Sequence, residues 1–211
     1  MDEILSIEIP LQAELKRIYF AVCELVIEKQ EFANSNHEKN LNIVLNILNE
    51  MRLNFDGFIQ LFSLSKCLGL EHIKIAIYHG LKNVYKNNMI SNLAENELLL
   101  YLSIQRQISK AFATMGITKE DFTNTHFKKE LLIISPNQIS IQKKIADLNS
   151  KIFIKPIYPK LPNTIIKQYE LAKNYDIKTD FQEPIDIEVL YKTIIARLNE
   201  KMIKLTLENL G

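Results

Sequence analysis

The chain has 211 residues, of which 47% are apolar and 24% charged; both fractions are near globular averages and exclude a disordered chain. Lys plus Arg is 26 against 25 Asp plus Glu, and a net charge of +1 argues against a protein that coats nucleic acid. Five glycines and no tryptophan exclude Gly-rich phosphate cradles, collagen-like repeats and turn-dense β-barrels.

Isoleucine occurs 31 times, Lys 22 and Asn 19, while Arg occurs 4 times. The common three have A/T-rich codons, so the skew reflects an A/T-rich genome and carries no functional message. The first predicted element runs from Leu11, where Leu11, Leu15, Ile18, Val22, Leu25 and Val26 fit one face of a helix. Ser35-x-x-Glu38 has capping-box form and predicts a second helix. That helix carries Leu41, Val44, Leu45, Leu48, Met51 and Phe55, with Phe58 and Phe62 beyond, and Gly57 kinks or ends it. A third helix follows Gly69 with Ile73, Ala76, Ile77, Leu81 and Val84, closed by Asn87 and Asn88.

Asn92-x-x-Glu95 caps a fourth helix carrying Leu98, Leu102, Ile108, Phe112 and Met115, and Gly116 fits its end. Thr118-x-x-Asp121 starts a shorter helix through about Leu132, and Ser135-Pro136-x-Gln138 starts another with Ile141, Ile145, Leu148 and Ile152 inward. Residues 131–134 and 151–154 are short apolar runs with strand character, but no alternation is long enough to predict a sheet. Pro156, Pro159 and Pro162 recur at a spacing of three, the period of polyproline II, and read as a spacer. Two helices follow, Asn163 to Tyr175 and Asp186 to Asn209, separated by a polar stretch with Pro184. The expected fold is therefore all-α, an irregular helical bundle of seven to eight helices. Residues 1–153 would form its body and residues 154–211 the spacer with two C-terminal helices.

Cys23 and Cys67 sit in apolar runs and read as buried thiols. With no basic, apolar leader and no membrane-length apolar run, the expected compartment is the cytoplasm. Residues 64–82 resemble a helix-turn-helix around Gly69. A DNA reader must present polar side chains to base edges, yet its outward positions here would be His72, Ile73, Ala76, Ile77 and Gly80. His72 and His79 lie seven residues apart, about 10 Å along a helix at ~1.5 Å per residue, too far to share a metal unaided. No nucleophile elbow, P-loop or HExxH pattern is present, so no metal, cofactor or catalytic residue is assigned.

By elimination the leading reading is a non-enzymatic protein–protein interaction module: an adaptor, a chaperone-like protein or a regulatory subunit, with a secretion or effector partner among its uses. A protein partner or a homo-oligomer is expected. The expected contact residues are Leu190, Ile194, Leu198, Met202 and Leu205 on the last helix, with Ile73 and Ile77 on the third. The alternatives are a DNA-binding regulator using residues 64–82 and an enzyme with a dispersed helical site.

Overall fold

The computed structural model describes residues 4–11, 14–28, 32, 36–123, 125–150, 152–160, 164–178 and 186–208. Ser35, Pro162, Asn163, Pro184 and Asn209, named above, lie outside them. The fold is mixed, 54% helical and 22% strand around a five-stranded antiparallel sheet, which overturns the expected all-α bundle. The chain divides into two compact units: Met1–Ser63 with Gly116–Tyr158, and Leu64–Met115 with Pro159–Gly211.

The first unit holds the sheet. Its strands are β1 (Leu5–Leu11), β2 (Glu14–Glu28), β3 (Phe58–Phe62), β4 (His126–Ser135) and β5 (Phe153–Pro156), in the order β1-β2-β4-β3. Strand β2 is the spine. One of its edges pairs with β4 over Tyr19–Glu28. Its other edge is shared, with β1 opposite Glu14–Phe20 and β5 opposite Cys23–Val26. The predicted first helix is therefore a strand. The physical reason is burial on both faces: Ile18, Phe20 and Val22 point one way, Ala21, Cys23, Leu25 and Ile27 the other, and all are buried. A doubly buried strand reads as an unbroken apolar run, and such a run also fits a helical template. The β-branched and aromatic make-up of Ile18-Tyr19-Phe20 and Val26-Ile27 favours the strand.

Helices α1 (His37–Arg52) and α5 (Gln138–Asn149) flank the sheet, and Val44, Leu48, Met51, Ile141 and Leu148 share a core with Cys23, Leu25, Ile59, Leu131, Ile133 and Ile154. The cap of α1 is Asn36, whose side chain accepts from the Lys39 amide. Its expected extension through Phe62 fails at Arg52, where the chain turns through Asn54 at φ 55° into β3. The Arg52 guanidinium donates to the Ile59 carbonyl at 3.0 and 3.1 Å and so occupies a polar group of that edge strand. Gly57 is required there, since a Cβ would stand 2.0 Å from the Ile134 carbonyl oxygen.

The Thr118–Asp121 capping box forms as read, but it closes only a single 3-10 turn, Lys119–Asp121. The rest of that predicted helix is β4, whose Leu131 to Ile134 are buried on both faces. Lys129, on the same strand, is buried and holds Asp121 at 2.8 Å and the Ser63 hydroxyl at 2.7 Å. Pro156 ends β5, and the Ile157 amide still bonds to the Val22 carbonyl at 2.8 Å, so this proline extends the sheet.

The second unit is helical: α2 (Leu70–Tyr85), α3 (Ala94–Ser103), α4 (Ile108–Met115), α6 (Ile165–Asn174) and α7 (Ile187–Leu207). The single helix expected over 92–115 is two, because Ile104 adopts φ 52° and closes α3 with the Gln105 amide on the Leu100 carbonyl. This is glycine's role at a helix end, taken here by isoleucine at a cost of about 1–2 kcal/mol.

Candidate protein-binding groove

The second unit carries a buried polar scaffold, and the groove is built on it. Its first part sits at the start of α2. His72 is fully buried; its Nδ1 accepts from the Leu68 amide at 3.1 Å, and its Nε2 donates to the Leu102 carbonyl at 3.0 Å. The ring is thus held in one neutral tautomer, and burial pushes its pKa down to about 4 against a smaller raising effect of the Leu102 carbonyl. Tyr175, just past the end of α6, packs edge-on to this ring at 5.2 Å and donates to the Lys66 carbonyl, while Tyr191 from α7 donates to the Leu68 carbonyl. Three aromatic side chains therefore fix the turn before α2.

The second part joins α2, α3 and α7. Glu97 is fully buried and accepts from the Ile90 and Ser91 amides at 2.9 and 3.1 Å. Burial raises its pKa, and those hydrogen bonds with Asn83 draw it partly back. The Asn83 amide donates to the Tyr101 hydroxyl at 2.6 Å, which donates to Thr206, which in turn donates to the Met202 carbonyl. Burial pushes the Tyr101 hydroxyl up to about 12, so it remains a donor at neutral pH. His79 lies parallel to the Tyr101 ring at 5.9 Å and meets Asn199 Oδ1 at 2.9 Å through Nε2. Its pKa is lowered, chiefly by burial, so the imidazole is neutral with its proton on Nε2.

On this frame an open groove of about 660 Å³ lies among α2, α6 and α7. Ile75, Ile187, Ile195 and Ala196 make its apolar wall, and Asn199 stands among them. Its rim carboxylates are paired within the chain, Glu71 with Lys74 and Glu188 with Lys192, at 2.8 and 2.7 Å. The expected contact residues are elsewhere. Leu190, Ile194, Leu198 and Met202 are fully buried, Leu205 is 6% exposed, and Ile73 and Ile77 are fully buried. They pack the unit from within. The face of α2 that a DNA reader would show, Ile73, Ala76 and Ile77, is closed in the same way.

What sequence reasoning missed is a second stripe on α7. Val189, Ala196, Ile203 and Leu207 recur at seven, seven and four residues, and all four are exposed. They lie opposite the buried stripe at ~100° per residue and continue the groove wall at Ala196. The polar neighbours Lys192, Glu200, Lys201 and Lys204 hid this stripe, although the heptad spacing of the first three is present in the sequence. Among the described residues no group of three or more His, Cys, Asp or Glu is placed to hold a metal, and no helix is long and apolar enough to cross a membrane.

An apolar groove continuous with an exposed helix stripe, its rim charges already paired, has the make-up of a protein-binding surface. The sequence matches the family model described as kinase binding protein CGI-121 over residues 34–201, and the chain belongs to that family. No curated protein matches the chain.

Proposed function

We propose that the protein is a non-catalytic adaptor that binds a protein kinase through the outer face of α7 and the groove beside it. The family supplies the class of partner. The observation that carries the location is the second stripe, Val189, Ala196, Ile203 and Leu207, exposed on a helix whose other side is buried. A surface helix ordinarily has one apolar stripe. The buried stripe and the hydrogen bonds of Tyr191, Asn199 and Thr206 tie α7 to the unit, which favours binding on a preformed wall with little ordering cost. Ala196, smaller than Val189 and Ile203 on either side of it along the stripe, also lines the groove.

The test starts with capture of the tagged protein from its own source and identification of kinases that co-purify. The purified kinase is then titrated against the wild type and against Ala196→Arg. The expected result is a loss of at least tenfold in affinity with unchanged thermal melting, since Ala196 is exposed. Leu198→Ala is the contrast: Leu198 is fully buried, and stability should fall by about 2–5 kcal/mol. Unaltered kinase binding by Ala196→Arg would remove α7 from the interface.

A further inference from the structure

We infer that Asn199 is a polar recognition residue of this groove and that its side-chain amide donates to a backbone carbonyl on the kinase. The inference rests on the proposed docking of a kinase on α7. It starts from how this amide is turned. Asn199 Oδ1 accepts from His79 Nε2 at 2.9 Å, and His79 is itself 6% exposed, stacked on Tyr101 and edge-on to Tyr78 at 5.1 Å. With Oδ1 committed inward, Nδ2 and its two protons are the end left to the groove, which Asn199 lines between Ile195 and Ala196 and the α2 wall. Of the other polar groups that line it, Tyr191 is engaged on the Leu68 carbonyl, Glu71 on Lys74 and Glu188 on Lys192, and Gln168 of α6 lines it as well. An N–H pair in an apolar wall needs an acceptor when a partner displaces water, because an unsatisfied buried donor costs about 1–3 kcal/mol. It takes an oxygen lone pair. A kinase surface offers that as an unpaired backbone carbonyl, at a helix end or a strand edge. His79 is then a positioning residue, which sets the direction of the amide and does not touch the partner.

The experiment compares the wild type, Ala196→Arg and Asn199→Asp by calorimetric titration with the purified kinase. Asp keeps the acceptor that His79 uses and replaces the N–H pair with oxygen, so it faces a carbonyl with repulsion. The expected result is at least tenfold weaker binding for Asn199→Asp with unchanged melting. If Ala196→Arg loses binding while Asn199→Asp stays within twofold of the wild type, the inference falls and the docking surface stands. If Ala196→Arg binds normally, the docking surface falls and takes the inference with it. Should the Asp variant melt early, NMR of the wild type decides. The Asn199 Nδ2 protons should shift and gain exchange protection when the kinase is added, and unaltered signals would overturn the assignment.

Discussion

The two units bury their polar groups in different ways. In the sheet unit the buried charge is Lys129, matched by Asp121 at 2.8 Å and by the Ser63 hydroxyl. In the helical unit the buried groups are His72, Glu97 and His79, and the contacts around them come from backbone amides, carbonyls and neutral side chains. A neutral histidine or a carboxylate without a cation keeps its state only while the pH favours it. The helical unit thus carries buried groups whose protonation is shifted by the fold, His72 downward and Glu97 upward.

The largest test of this contrast is removal of residues 1–33. The family match begins at 34, yet β2, at Glu14–Glu28, supplies the partner edges for β1, β4 and β5. A chain cut at 34 should lose the strand signal in circular dichroism and aggregate. A cut chain that stays monomeric with its strand content intact would show that the sheet has another spine.

The next effect is Lys129→Met, which leaves the Asp121 carboxylate with its capping contacts and no cation. Breaking a buried pair from one side costs about 3–5 kcal/mol, read as a lowered urea midpoint. Adding Asp121→Asn should recover part of the loss. Equal stability of Lys129→Met and the wild type would mean that the pair does no more than an exposed one.

The smallest effect is acid titration of the helical unit. His72 has a folded pKa of about 4, below its ordinary 6.5, so its neutral form belongs to the folded state. The associated stability is complete above pH 6.5 and declines as pH falls from there towards 4, by about 2 kcal/mol at pH 5. Glu97 works in the opposite sense, because its raised pKa favours folding as pH falls, so the stability measurement belongs in a Glu97→Gln background. NMR of the His72 ring gives the direct check: a neutral Nε2-protonated ring at pH 5. A ring that titrates near 6.5 would place His72 in contact with water.

The same contrast explains what was legible in the sequence. Helices α2, α6 and α7 follow from periodicity, because each has a partly polar side and a buried stripe, as with Leu190, Ile194, Leu198 and Met202. Strands β2 and β4 do not, because Phe20 and Ala21, or Leu132 and Ile133, are neighbours that face opposite ways and are both buried. Alternation is the signal of a half-buried strand, and it vanishes when both faces are covered. The groove was hidden for a different reason. Asn199, His79 and Gln168 are far apart in sequence, and only the packing of α2, α6 and α7 brings Asn199 and Gln168 to one groove, with His79 hydrogen-bonded to Asn199. The single missed local signal was the spacing of Val189, Ala196 and Ile203.

The pairing of β2 also sets a clock on synthesis. Its last residue, Glu28, precedes the first residue of β4, His126, by nearly a hundred positions, and β5 comes later still. At a translation speed of roughly 5–20 residues per second, β2 waits on the order of 5–20 s for β4. In that interval β1 covers only the part of one edge up to Phe20, and the run from Ala21 to Ile27 emerges with no strand beside it. This largely apolar run is thus made early and paired late, and a nascent chain exposes it for that time.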